Sequence, residues 1–275
     1  MPRGKLTRAR AARPPRALGG LRAYWALSRT PRYALLLALP LLVAYEGLAA
    51  LAGDAAGRSL RNGADVWLKA PFVLLFGPRG PVVFGALVVG GAAVLVFRDV
   101  RRARDGVRGR VLLAMLAESW GMAVLCGAGV RAATGLVLGA FALRAGPALR
   151  LATRVPTPDA LQGVGGPARL MLSLGAGLYE ELLFRVVLVG LLDLAGRRAL
   201  GLGARAAGVF AVLVGALLFS AAHYVGAYGD RFTPEGFVFR ALAGVFFSAL
   251  YLLRGFGITA WAHALYDVGV LVGGA

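Results

Sequence analysis

Residues Leu178–Arg185 read L-Y-E-E-L-L-F-R and place two adjacent glutamates and an arginine inside an apolar run. The run extends from Leu170 to Leu194 and is long enough to cross a lipid bilayer. A charged side chain costs about 2.5–3.5 kcal/mol at the centre of an inserted helix, so charges in such a run indicate a functional site. The stretch therefore predicts a membrane-embedded helix with a polar site in it.

The composition of the whole chain is that of a helical membrane protein. Of its 275 residues, 59% are hydrophobic, whereas soluble domains average about 45–50%. Apolar runs of membrane-spanning length recur along the chain. We therefore predict an all-α, polytopic integral membrane protein with seven to eight transmembrane helices.

The basic residues lie in tails and loops between the apolar runs. Residues 1–32 hold nine Lys/Arg and no acid, and residues 98–110 hold six arginines against two aspartates. The positive-inside rule explains this placement, so the net charge of +18 indicates contact with the bilayer and not with nucleic acid. It predicts a cytoplasmic N-terminus in the cytoplasmic (inner) membrane, with the run Tyr33–Ala52 acting as an uncleaved signal anchor.

Three regions follow from this pattern: a basic cytoplasmic N-terminal tail (1–32), an N-terminal transmembrane region (33–164) and a four-helix C-terminal catalytic core (165–273). Val66–Phe76 is too short to span and is interpreted as interfacial or re-entrant. Gly135–Leu143 is expected to enter the bilayer without crossing it, which leaves an eighth crossing open. The predicted spans are Tyr33–Ala52, Pro81–Phe97, Val111–Val130, Leu170–Leu194, Ala206–Tyr224, Phe237–Leu253 and Gly257–Val272.

The spacing of the charges in the opening stretch separates two roles. Glu181 and Arg185 are four residues apart, with the glutamate first, which favours an ion pair on one helix face. Glu180 points about 100° away on an α-helix and has no partner there. We therefore expect a structural Glu181–Arg185 pair and a free Glu180 carboxylate, which suits a general base.

The two histidines of the chain both fall in the late apolar runs. Phe219 lies one turn before His223, and Asp267 lies one turn after His263. With the acids and the arginine described above, they predict a polar cluster that holds and polarises a water. In the predicted spans the two histidines differ in depth by roughly 15 Å. A shared site then requires the helix with His223 to end inside the bilayer, or the last helix to be shifted.

Three motifs in this order resemble a known family. E-E-L-L-F-R at 180–185 matches E-E-x-x-x-R, F-S-A-A-H at 219–223 matches F-x-x-x-H, and H-A-L-Y-D at 263–267 matches H-x-x-x-N/D. The set resembles the CPBP intramembrane proteases, which include CAAX prenyl endopeptidases and bacteriocin-processing proteins and are also called the ABI domain. The resemblance covers about residues 165–273.

The resemblance implies hydrolysis of a peptide bond in a membrane-anchored or lipid-linked protein or peptide. By position, Glu180 and His223 would activate the attacking water, and His263 and Asp267 would stabilise the oxyanion. Glu181, Arg185 and Phe219 would support the site. The family more often has Asn at the last position, and an ionised Asp267 cannot donate a hydrogen bond to an oxyanion.

The resemblance leaves open whether the peptidase is of the glutamic type or metal-dependent. No metal site is assigned from the sequence, which lacks H-E-x-x-H. If zinc is bound, the ligands would be Glu180, His223, His263 and Asp267, since carboxylate and imidazole are suitable zinc ligands.

Two alternatives to a protease remain at the level of sequence. One is a non-catalytic family member that acts as a bacteriocin immunity or membrane scaffold protein, and the other is a proton-coupled transporter. Outside the core, Glu118 has no partner that the sequence identifies, and we expect it to have a helix-packing or cavity role. The single cysteine, Cys126, is expected to be a small buried hydrophobe.

Overall fold

The computed structural model describes residues 20–51, 61–103, 106–145, 165–226 and 229–273, and this part of the chain is helical throughout. Most of the predicted tail lies outside the described residues, although its end forms a short helix. The helices are α1 Leu21–Ser28, α2 Pro31–Leu51, α3 Gly63–Phe76, α4 Gly80–Ala103, α5 Gly109–Ala145, α6 Gly166–Gly175, α7 Gly190–Arg198, α8 Ala204–Ala222, α9 Pro234–Arg254 and α10 Phe256–Gly273. A π-helical segment, Ala176–Val189, joins α6 to α7.

Five stretches of the described residues are long and apolar enough to cross a membrane. They are Pro31–Leu51, Gly63–Ala103, Gly109–Phe141, Ala204–Ala222 and Pro234–Arg254. These five stretches therefore fit a polytopic membrane protein, as predicted. The predicted spans Leu170–Leu194 and Gly257–Val272 are not among the five, so seven to eight crossings stay a prediction.

The longest of these stretches contains a reversal of the chain. A 3₁₀ turn, Gly77–Arg79, separates α3 from α4. A Cβ at Gly80 would lie 2.5 Å from the backbone of Phe72, and the Phe72 and Phe84 ring centroids are 5.4 Å apart. Helix α3 therefore folds back on α4, and its 14 residues are too few to span the bilayer. This geometry fits the interpretation of Val66–Phe76 as re-entrant.

Helix α5 is longer than predicted and contains Glu118. It continues through Gly135–Leu143, which was wrongly expected to be a separate segment. Two hydrogen bonds from Arg254 hold Glu118 of α5, at 2.6 and 2.8 Å, and Tyr24 of α1 donates a third. Burial and the Glu118 carboxylate raise the pKa of the Tyr24 phenol, which stays a donor. Glu118 thus links α1, α5 and the end of α9.

The last helix, α10, lies at the centre of the core. It packs against α2, α5, α6, α9 and the π-helical segment. Small residues permit this close packing, because Ala260, Ala262 and Ala264 are essentially fully buried. At Gly177 an added Cβ would lie 2.4 Å from the Ala260 carbonyl oxygen. The glycine therefore sets the distance between the π-helical segment and α10.

Replacing Gly177 with alanine is expected to destabilise the protein by about 1–3 kcal/mol, because the new methyl group forces two helices apart. Gly190→Ala is the matched control, since a Cβ there meets nothing within 4 Å. Thermal unfolding of both variants in detergent micelles measures the difference. Equal melting temperatures for the two variants would contradict this packing.

Candidate active site

The first half of the site pairs Glu180 with His223. His223 caps the C-terminus of α8, and its Nδ1 lies 2.8 Å from the carbonyl oxygen of Phe219. Because that oxygen only accepts, Nδ1 carries a proton, and in the neutral imidazole the unprotonated Nε2 faces Glu180. Glu180 Oε2 is 4.0 Å from this nitrogen. A water can lie between the two atoms at hydrogen-bonding distance from each.

The second half of the site is centred on His263 and is more deeply buried. His263 Nδ1 lies 2.7 Å from Glu181 Oε1, and its Nε2 lies 3.8 Å from Asp267 Oδ2. The imidazole stacks on Phe247 with ring centroids 4.5 Å apart. Glu181 and Phe247 therefore fix the orientation of the His263 ring. Asp267 lies beside the second ring nitrogen, Nε2.

The predicted Glu181–Arg185 ion pair is confirmed. Arg185 Nε is 3.2 Å from Glu181 Oε2, and both side chains are almost completely buried. The contact is an ion pair without aligned hydrogen bonds, because these two atoms lack hydrogen-bond partners among the described residues. The guanidinium instead lies 4.3 Å from the centre of the Phe219 ring, a cation–π distance.

Phe219 connects the two halves. Its ring centroid is 4.8 Å from that of His223 and 6.4 Å from that of His263, and it meets both rings edge-on. Consecutive glutamates of the π-helical segment each contact one of these histidines. The depth difference expected from straight spans is therefore not found. Helix α8 ends at Ala222, directly before His223, within two residues of the predicted end of this span.

The π-helical backbone was not predicted, since the sequence analysis treated this stretch as an α-helix. The segment runs over 14 residues, from Ala176 to Val189. Wider helices with i→i+5 hydrogen bonds are rare and are frequently found at functional sites. Its position over both glutamates is an independent indication that this part of the core has a function.

One residue of the site was missed by the sequence analysis. Asn62, at the N-terminus of α3, donates a hydrogen bond of 2.9 Å from Nδ2 to Glu180 Oε1. An asparagine before an apolar run is a recognisable helix cap, but nothing in the sequence places it beside Glu180, which is 118 residues away.

A second polar network lies next to Asn62. Glu46 accepts hydrogen bonds from Arg61, Lys69 and Tyr179 at 2.8–3.2 Å. Asp65 pairs with Lys69 at 2.5 Å. Tyr179 precedes Glu180 in the chain, so this network anchors the π-helical segment to α2 and α3.

The side chains proposed as zinc ligands do not converge on one point. Among the described residues, no group of three or more His, Cys, Asp or Glu side chains is arranged to hold a metal ion. Glu180 pairs with His223, whereas His263 has one nitrogen occupied by Glu181. The arrangement does not fit a zinc centre, and no step of the chemistry below is assigned to a metal.

Comparison with protein-family models gives one match. Residues 166–269 match the model described as Type II CAAX prenyl endopeptidase Rce1-like. This region is therefore similar to that family. The match suggests an intramembrane protease and confirms the resemblance to the CPBP proteins drawn from the motifs. Searches of curated proteins and of solved structures find no significant match.

The Rce1-like region begins at α6 and ends within α10, so it contains both halves of the site. It contains the two glutamates, the two histidines, Phe219, Arg185 and Asp267. Asn62 and the network around Glu46 lie outside it. The Rce1-like region is therefore completed, in this chain, by contacts from α2 and α3.

Proposed function

We propose that this protein is an intramembrane endopeptidase that hydrolyses a peptide bond in a membrane-anchored or lipid-linked protein or peptide. Glu180 and His223 activate the attacking water. The observation that carries the proposal is the distance of 4.0 Å between Glu180 Oε2 and His223 Nε2. The Phe219 carbonyl keeps the proton of His223 on the other nitrogen.

Water activation follows from the proton positions in this pair. A water held between the two atoms gives a proton to the Glu180–His223 pair while its oxygen attacks the carbonyl carbon of the substrate. A tetrahedral oxyanion forms. The pair then returns the proton to the amide nitrogen, the C–N bond breaks, and an acid and an amine leave.

His263 stabilises the oxyanion in this proposal. When both of its ring nitrogens carry protons, Nδ1–H donates to Glu181 and Nε2–H can donate to the oxyanion. Asp267 lies 3.8 Å from Nε2 and helps to orient the ring. Glu181, Arg185 and Phe219 hold His263 and His223 in place, and they take no part in proton transfer to the substrate.

The five candidate spans support an integral membrane location, and the basic N-terminal part of the chain supports the cytoplasmic (inner) membrane with the N-terminus inside. Prenylated CAAX proteins are one substrate class. The others are peptide or bacteriocin precursors and C-terminal sorting tails, all of which are anchored in the membrane.

The test compares membrane proteomes of cells that carry the wild-type protein, Glu180→Gln or His223→Ala. We expect one or more membrane-anchored proteins to accumulate uncleaved in both variants, because neither can activate water. Asp193→Asn is the matched control, since Asp193 is a partly exposed carboxylate paired with Arg197.

Normal processing in both variants at normal membrane levels would overturn the protease and favour an immunity or scaffold protein. A proton-coupled flux in liposomes that depends on Glu180 would favour the transporter instead. The Asp193→Asn strain is expected to process its substrates like the wild type.

A further inference from the structure

We propose that Asn62 is a positioning residue for Glu180, and this inference rests on the proposed protease function. Asn62 is the only asparagine of the chain and lies outside the Rce1-like region. It touches neither His223 nor His263 in any hydrogen bond of the described residues. Its role is to orient the carboxylate that activates the water.

The orientation of the Asn62 amide is determined by its second contact. Oδ1 accepts a hydrogen bond of 2.9 Å from the backbone N–H of Ala64, the N-terminal cap of α3. An amide turned the other way would place its NH₂ group against that N–H. Nδ2 must therefore face Glu180 Oε1, at 2.9 Å. This contact leaves Oε2 directed at His223.

The backbone N–H of Asn62 is also hydrogen-bonded. It donates to the Tyr45 hydroxyl at 3.3 Å, and that hydroxyl donates to Asp65 Oδ2 at 2.9 Å. Asp65 is nearly fully buried and pairs with Lys69. The Tyr45 ring also packs on Gly175, where an added Cβ would lie 2.4 Å from it.

These contacts give the N-terminal region a part in the chemistry. The hydrogen bond from a neutral amide holds one oxygen of a carboxylate that would otherwise rotate. A small misplacement of a reacting group can cost on the order of 10²-fold in rate. A fixed Asn62 therefore keeps the 4.0 Å separation between Glu180 and His223.

The informative variant is Asn62→Ser. A serine hydroxyl can cap α3 as well as an asparagine does, but the shorter side chain has no NH₂ donor that reaches Glu180, so the cap survives and the hydrogen bond to Glu180 does not. Asn62→Ala removes both. Thr233→Val is the matched control, because Thr233 caps α9 through the N–H of Gly236 and has no contact with Glu180 among the hydrogen bonds described.

The kinetic readout uses an internally quenched farnesylated CAAX peptide and, beside it, a peptide that spans a site left uncleaved in Glu180→Gln cells. We expect Asn62→Ser to lower kcat by about 10- to 100-fold with KM close to the wild-type value. The melting temperature of Asn62→Ser should stay near that of the wild type, because the cap of α3 is retained. Thr233→Val should lower the melting temperature and leave kcat unchanged.

A substrate-free readout separates this inference from the proposed function. Infrared difference spectra between wild type and Glu180→Gln isolate the carboxylate stretch of Glu180. Recording the same difference in the Asn62→Ala background is expected to shift that band, because the carboxylate loses its donor. An unshifted band overturns the positioning role, whatever the enzymatic result.

The kinetic measurements also separate failure of the Asn62 inference from failure of the proposed function. If Glu180→Gln is inactive but Asn62→Ser has the kcat of the wild type, the positioning role is overturned and the proposed protease stands. If Glu180→Gln retains full activity, the assignment of Glu180 to water activation is overturned, and with it the role of Asn62 in catalysis; if the wild type cleaves neither peptide, the proposed protease is overturned. A loss of kcat that Thr233→Val reproduces would show a general effect of losing a helix cap and would also overturn the inference.

Discussion

Replacing Glu180 with glutamine is expected to lower kcat by about 10²- to 10⁴-fold, the usual contribution of a general acid–base group. Glutamine retains the size of the side chain and can keep a contact with Asn62, but it cannot accept a proton from water. The protein should therefore fold normally and bind its substrate with little change in KM. Turnover of a substrate peptide by purified protein in micelles measures the effect.

The His223→Ala variant is expected to show a loss of similar size, since Nε2 of His223 faces the same water as Glu180 Oε2. Because the two residues act as a unit, the double variant should be about as slow as the slower single variant. Additive losses would contradict a shared water. Asp193→Asn, which changes a partly exposed carboxylate on α7, should have wild-type turnover.

Replacing Arg185 with methionine is expected to destabilise the protein by about 3–5 kcal/mol, the usual cost of breaking a buried ion pair. Arg185 and Glu181 are 1% and 0% exposed. Methionine fills similar space but leaves the Glu181 charge with only His263 beside it. Loss of the guanidinium over Phe219 adds to this cost. Unfolding by heat or denaturant in micelles measures the change.

The double variant Glu181→Gln/Arg185→Met should regain part of the lost stability, because neither partner then carries an uncompensated charge. Arg197→Met provides the control, since Arg197 pairs with Asp193 at the surface and exposed pairs contribute about 0–1 kcal/mol. The buried pair would lose its structural role if Arg185→Met were no less stable than Arg197→Met.

Much of the helical framework could be predicted from the chain itself. The predicted spans Tyr33–Ala52 and Phe237–Leu253 correspond to α2 and α9 within a few residues. The Glu181–Arg185 pair was also predictable, because both residues lie on one helix and local spacing determines whether they meet. The motifs indicated a resemblance to the CPBP family, and the family match over residues 166–269 confirms that resemblance.

Contacts between distant parts of the chain could not be predicted in this way. Glu118 and Arg254 are 136 residues apart. They pair because α5 and α9 pack together, which the sequence does not indicate. The π-helical segment was missed because its apolar pattern was treated as that of an α-helix. The reversal at Gly77–Arg79 fits the re-entrant interpretation of Val66–Phe76, but nothing in the sequence predicted that Phe72 packs against Phe84 of the next helix.

Within the eight residues Leu178–Arg185, some properties follow from the sequence and others depend on the tertiary structure. Sequence alone determined that it lies in an apolar helical run, that Glu181 pairs with Arg185, and that Glu180 needs a partner from elsewhere, since these properties depend on composition and local spacing. The family resemblance implied His223 as one partner, whereas only the tertiary structure identified Asn62 and brought both residues to Glu180. Asn62 and His223 reach Glu180 because α3 and α8 pack against the π-helical segment, and helix packing depends on the shapes of surfaces that are distant in the chain.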